Sequence, residues 1–97
     1  MAVFLISLRY TAPLERIDAL LGRHVEWLKE QREAGHFLAW GRKVPRDGGL
    51  ILVRGASRTE IERLAAGDPF VLEGAAEADV IEWAPSFVAD SVAGIGE

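Results

Sequence analysis

The sequence predicts an α+β fold whose elements follow the order βαββαβ. Four short runs rich in β-branched and aromatic residues, at 2–10, 36–42, 49–55 and 78–84, indicate strands. Apolar residues spaced three and four positions apart, after the first and the third of these runs, indicate two helices. This order is that of the ferredoxin-like arrangement, a four-stranded antiparallel sheet with both helices on one face.

A long amphipathic helix is predicted from Leu14 to Ala34, with Pro13 at its start and Gly35 as its C-terminal stop. Its apolar side predicts a buried stripe that contains a histidine, namely Leu14, Ile17, Leu21, His24 and Leu28. A second row through the same histidine contains Leu20, Trp27 and Gln31. Because burying an imidazole without a hydrogen-bond partner costs free energy, His24 is expected to have one.

Alternation along the strands predicts which side chains share a face of the sheet. In the first strand, one face carries Phe4, Ile6, Leu8 and Tyr10, and the other carries Val3, Leu5, Ser7 and Arg9. In the second strand, one face carries Phe37, Ala39 and Gly41, and the other carries Leu38 and Trp40. The pair Asp47-Gly48 then predicts the turn of a hairpin.

The first and third strands are apolar on both faces, although the two helices cover only one face of the sheet. A contiguous apolar patch of that size is unfavourable on the surface of a monomer. We therefore expect a homodimer in which two sheets pack through their bare faces. The alternative is a monomer whose C-terminal segment folds over the bare face.

The second helix is predicted to begin at Ser57, which forms a capping box with Glu60, and to end at Gly67. Asp68 and Pro69 follow, and this pair is typical of an N-cap and the first residue of another helical turn. A capping carboxylate uses one oxygen for the cap. We expect its second oxygen to be able to accept a hydrogen bond from an imidazole N–H.

His24 and Asp68 are therefore the candidate catalytic residues. Together they would form a dyad in which the carboxylate orients the imidazole for proton transfer. Such a dyad suits isomerisation, elimination or water activation, and no serine lies in a strand-turn-helix elbow that would complete a triad. The alternative is structural, with a histidine satisfied inside the core and an aspartate that only caps a helix.

Four further residues are candidates for substrate binding. Ser7 and Arg9 are polar positions on a central strand, where they either hold a ligand or mark the strand's exit from the core. Trp27 lies one turn after the histidine, and Phe70 follows the Asp-Pro pair. Both aromatic residues also have a simpler interpretation as core packing. The other histidine, His36, is expected on the surface.

Composition restricts the classes of function. The 97 residues predict a single domain, and the net charge of −4 is spread along the chain without a basic cluster, which disfavours nucleic acid. No cysteine is present, so thiolate catalysis and cysteine-based zinc sites are excluded. The two histidines and the scattered carboxylates do not have the spacing of metal ligands, and no glycine-rich phosphate loop lies between a strand and a helix. No metal and no cofactor are therefore expected. No apolar stretch approaches the roughly 20 residues of a membrane span, so no membrane partner and a cytoplasmic location are expected.

Taken together, these residues resemble the YciI-like (YCII-related) family. The resemblance rests on the helical His24-x-x-Trp-Leu segment, on Gly35, Gly41, the Gly48-Gly49 hairpin and Ser57, and above all on Asp68-Pro69-Phe70. It covers roughly Val3 to Trp83, and we expect one domain over residues 1–97, with a core at 2–84 and an extension at 85–97. It also implies the dimeric α+β barrel group, which is similar to muconolactone isomerase, with the active-site pair at His24 and Asp68.

The first hypothesis is a small enzyme that acts on a small organic molecule by acid/base chemistry, of isomerase, dehydrochlorinase or hydrolase type. The second is a non-catalytic module of the same fold that binds a small ligand or serves an assembly. A third is a cofactor-independent monooxygenase like others in the barrel group.

Overall fold

The computed structural model describes residues 2–92 of the chain, and its elements follow the predicted order. They are β1 (Ala2–Tyr10), α1 (Leu14–Glu33), β2 (Phe37–Arg42), β3 (Gly48–Gly55), α2 (Arg58–Ala66), the short α3 (Pro69–Leu72) and β4 (Ala76–Trp83). Of the predicted C-terminal extension, residues 85–92 are described and 93–97 lie outside the described residues.

The four strands form one antiparallel sheet in the order β2-β3-β1-β4, as predicted. The central strand β1 pairs with β3 and β4, so that Leu5 lies opposite Leu52 on one side and Ile81 on the other. β2 and β4 are the outer strands. Each helical connection therefore passes over one intervening strand, as the ferredoxin-like topology requires.

The hydrophobic core lies between one face of the sheet and the helices. Three residues of β1, Phe4, Ile6 and Leu8, are buried in it together with Ile51 and Val53 of β3. The helices contribute Ile17, Leu20 and Leu28 from α1 and Ile61 and Ala65 from α2. The predicted division of β1 into a core face and an opposite face is therefore confirmed.

The buried stripe of α1 differs from the predicted one. The buried residues are Ile17, Leu20, His24, Trp27 and Leu28. Leu14 and Leu21 are 44% and 41% exposed, so their prediction as core was wrong. The apolar side of α1 is wider than the part that contacts the sheet, and Leu21 borders a cleft instead.

Strand β2 contains an irregularity that the alternating pattern did not predict. Phe37 pairs with Val53 and Trp40 pairs with Ile51, so three steps along β2 correspond to two steps along β3. Leu38 is the extra residue in β2. Because a bulge reverses the alternation beyond it, Trp40 lies on the same face as Phe37. The prediction of opposite faces for these two residues was wrong.

Two helix termini follow their sequence signals closely. Gly35 has a φ of +88° at the end of α1, where its N–H donates to Arg32 O and the N–H of His36 donates to Gln31 O. This is the hydrogen-bond pattern of a Schellman motif. At the start of α2, the N–H of Glu60 donates to Ser57 Oγ at 3.2 Å, as a capping serine should accept.

The other face of the sheet carries apolar side chains that no helix covers. Leu50, Ile81 and Trp83 are 43%, 48% and 42% exposed there, beside the half-buried Leu5 and Leu52. We call this surface the open face.

None of the helices within residues 2–92 combines the length and hydrophobicity that crossing a membrane would require.

Candidate active site

A buried hydrogen bond joins the two candidate catalytic residues. His24 lies in the middle of α1, Asp68 is the N-cap of α3, and His24 Nδ1 is 2.8 Å from Asp68 Oδ1. The side chains are 11% and 0% exposed. Because a carboxylate accepts hydrogen bonds, Nδ1–H is the donor, and in the neutral imidazole the lone pair is then on Nε2. Within residues 2–92, Nε2 has no hydrogen-bond partner.

Asp68 serves both as a helix cap and as the partner of the imidazole, and it does so with one oxygen. Oδ1 also accepts the N–H of Phe70 at 2.9 Å, while Oδ2 is buried without a partner among the described residues. The expectation that the two bonds would use separate oxygens was wrong. A buried polar atom without a partner costs about 1–3 kcal/mol, so the surrounding packing must hold this carboxyl group in place.

Aromatic rings fix the plane of the imidazole. Phe70 stacks on His24 with a centroid distance of 4.0 Å and an interplanar angle of 12°. Trp27 lies on α1 with its centroid 5.9 Å from that of the imidazole, and its ring makes an edge contact with Phe37 at 5.1 Å. The Asp68-Pro69-Phe70 segment therefore supplies a hydrogen bond to the imidazole through its first residue and a stacking contact through its last.

The imidazole borders a cleft of about 340 Å³ between α1 and the β2–β3 hairpin. This volume is near the lower end of the roughly 300–1,000 Å³ that is typical of small-molecule sites. Apolar side chains of α1 form one wall, namely Leu21, Val25 and Leu28. Aromatic side chains from other elements also line the cleft, namely Tyr10, Trp40 and Phe70.

The structure does not bring every predicted site residue to this cleft. Ser7 and Arg9 belong to the β1 face opposite Phe4 and Ile6, so the sheet separates them from His24. The Arg9 guanidinium forms an ion pair with Glu77 on the exposed end of β4. Because side chains alternate along a strand, Ser7 and Arg9 cannot contact a ligand beside His24 of the same chain. Trp27 is buried beside the imidazole but does not line the cleft.

The cleft also contains charged residues that sequence reasoning missed. The hairpin contributes Arg42 and Arg46, and α1 contributes Asp18. Arg46 Nη2 lies 2.5 Å from Asp18 Oδ1, and this hydrogen bond raises the pKa of the Arg46 guanidinium above its ordinary value. The sequence contained a pattern that could have predicted the side of α1 that lines the cleft. Its residues recur at steps of three and four beside the buried stripe, namely Asp18, Leu21, Val25 and Leu28.

A model of the YCII-related domain matches residues 1–84. The chain belongs to the YCII-related family. The resemblance read from the motifs is confirmed, and His24 and Asp68 both fall within the matched segment of this YCII-related protein. None of the curated proteins matches it.

The fold of this YCII-related protein is similar to that of a solved enzyme. The 5-chloro-2-hydroxyhydroquinone dehydrochlorinase (TftG) from Burkholderia phenoliruptrix AC1100, in a complex with 2,5-dihydroxybenzoquinone, superposes with a TM-score of 0.73. The two chains are 17% identical, and the match covers 84% of this chain and 93% of the other. At this level of identity, the likeness establishes a shared fold.

Proposed function

We propose that this YCII-related protein is an enzyme that transfers protons on a small organic molecule, with His24 as general acid/base and Asp68 as its positioning partner. The observation that carries this proposal is the 2.8 Å bond between Nδ1 and Oδ1 beside a cleft of about 340 Å³. A purely structural histidine has no need of an adjoining cavity.

The direction of the bond supports Nε2 as the reacting nitrogen. Nδ1–H is held by the carboxylate, so Nε2 is the nitrogen that accepts a proton from a substrate in the cleft. The resulting imidazolium is stabilised by the buried carboxylate. In an elimination, the electron pair of the broken bond forms a double bond as the leaving group departs. In an isomerisation, Nε2 returns the proton at another atom of the substrate.

The name of the structural relative supports this class of reaction. A dehydrochlorinase removes HCl, which requires a base that accepts a proton while chloride leaves. The ligand in that complex is a small planar ring, and a molecule of that size suits the cleft described above. We therefore propose elimination or isomerisation of a small ring compound as the reaction to test first.

The test is proton transfer on a panel of chlorinated hydroxyhydroquinones and unsaturated lactones, followed by chloride release and by deuterium incorporation from D₂O. His24→Ala should reduce turnover by about 10²- to 10⁴-fold, the usual contribution of a general acid or base. His36→Ala, which removes the other histidine, should retain the wild-type rate. Wild-type turnover by the folded His24→Ala protein would show that the assignment is wrong.

A non-catalytic binding module is the second candidate. The observation in its favour is that Asp68 also caps α3, so local structure accounts for the aspartate without catalysis. A module would bind ring compounds without turnover, and its affinity would change little in Asp68→Asn. An enzyme would lose rate in the same variant while it retains binding.

We also propose that the YCII-related protein forms a homodimer through the open face. Leu5, Ile81 and Trp83 lie on neighbouring strands and form one apolar surface. Apolar area in contact with water is unfavourable, and packing of two such faces removes it from water.

A further inference from the structure

Two arginines line the cleft of a protein that is negatively charged overall. Arg42, Arg46 and Asp18 line the cleft, and the Asp68 carboxylate lies behind His24 without lining it, whereas the whole chain carries −4. A cation that lines a cleft and lacks a carboxylate partner attracts an anionic ligand.

Arg42 is the cation available for such a ligand. Its place in the register of β2, opposite Gly49 and two residues after Trp40, puts it on the side of the sheet that faces the cleft. No residue within 2–92 forms an ion pair with it. A guanidinium presents several N–H donors in one plane, which suits a carboxylate or an ionised enol.

Arg46 is already neutralised by a partner in the same cleft. Its Nη2 lies 2.5 Å from Asp18 Oδ1, and the pair joins the hairpin loop to α1 at the edge of the cleft. An anion that approached Arg46 would have to compete with this carboxylate. The removal of the Asp18 charge should therefore increase the attraction of the cleft for anions.

The remaining lining favours a planar ligand. Tyr10, Trp40 and Phe70 line the cleft, and apolar side chains of α1 face them. Aromatic rings stack on flat ligands and add affinity beyond the area that they bury. We infer that the cleft selects small planar organic anions, with Arg42 as the residue that holds the anionic group. This inference rests on the proposed function, because it names the substrate class of the same site.

The test is equilibrium binding of two matched probes, measured by calorimetry. One is 2,5-dihydroxybenzoquinone, whose enolic hydroxyl groups are vinylogous acids and are ionised at neutral pH. The other is its dimethyl ether, which has the same ring and no charge. The chain has no cysteine for these quinones to alkylate. We expect the anion to bind about tenfold or more tightly than the ether, which is typical of a charge-assisted hydrogen bond.

Three variants separate Arg42 from a general charge effect. Arg42→Gln should weaken binding of the anion about tenfold and leave binding of the ether unchanged. Asp18→Asn should strengthen binding of the anion. Arg63→Gln removes an exposed arginine of α2, outside the cleft, and should have no effect. All three positions are exposed or half-buried, and circular dichroism would verify that the variants fold.

The inference is overturned if the anion does not bind at millimolar concentration, if the ether binds as tightly, or if Arg42→Gln behaves like Arg63→Gln. These outcomes do not depend on turnover. His24→Ala should still bind the anion, because the imidazole is not its anchor. Loss of turnover in that variant with retained binding would therefore support the catalytic proposal separately from the anion selectivity.

Discussion

His24 and Asp68 are separated by 44 positions in the chain, yet Nδ1 of one lies 2.8 Å from Oδ1 of the other. The same oxygen accepts the backbone N–H of Phe70, whose ring stacks on the imidazole at 4.0 Å. Three contacts thus converge within a segment of three residues, Asp68-Pro69-Phe70. The candidate site of this YCII-related protein depends on how that segment packs against α1.

Asp68→Ala is expected to destabilise the protein by about 2–4 kcal/mol, because it removes a helix cap and leaves the buried Nδ1–H unpaired. Asp68→Asn keeps an oxygen acceptor and should cost less stability. Both variants should lose most of any catalytic rate, because the carboxylate charge that stabilises the imidazolium is absent. Urea denaturation would measure the stabilities, and equal losses in the two variants would contradict this account.

A second prediction concerns two glycines with opposite surroundings. At Gly48 a Cβ would lie 1.8 Å from the carbonyl oxygen of Leu8, so Gly48→Ala must displace the β1–β3 pairing. At Gly22, which is exposed in α1, a Cβ would have no neighbour within 4 Å. We expect Gly48→Ala to destabilise the protein by about 2 kcal/mol or more. Gly22→Ala should stabilise it by about 0.5–1 kcal/mol. Thermal unfolding of both variants under the same conditions would test the difference in sign.

Glu73, directly after α3, accepts contacts from two arginines of α1. Its carboxylate lies 3.2 Å from Arg16 Nη2 and 3.7 Å from Arg23 Nη2. All three side chains are partly exposed, so Glu73→Gln should cost less than about 1 kcal/mol. The effect should diminish further in high salt. A larger loss of stability, or one that salt leaves unchanged, would mean that these pairs hold α3 more firmly than surface ion pairs do.

The homodimer proposed for the open face predicts a matched pair of variants. Ile81→Asp introduces a charge into the apolar surface and should convert dimer to monomer, because an unpaired buried charge is costly. Leu72→Asp alters an exposed leucine of α3 and should leave the dimer intact. Light scattering after size-exclusion chromatography measures both masses. A wild-type protein that is monomeric at tens of micromolar would refute the dimer.

Much of the fold was predictable from local signals. Alternation in β1 identified its core face, the Gly35 stop ended α1 within one residue, and Ser57 marked the start of α2. These signals succeed because they depend on the chemistry of a few adjacent residues. Alternation failed in β2, where the bulge at Leu38 reversed the faces beyond it. A bulge depends on pairing with β3, which the residues of β2 do not encode by themselves.

The sequence by itself determined that His24 occupies an apolar helix face, that Asp68 caps the turn before Phe70, and that the chain belongs to the YCII-related family. Only the tertiary structure decided that one carboxylate oxygen serves both the cap and the imidazole, and that Arg42 and Arg46 reach the same cleft. It also decided that the sheet separates Ser7 and Arg9 from His24. Helical and strand periodicity assign side chains to faces. Contacts between distant segments are set by the packing of whole elements around a shared core.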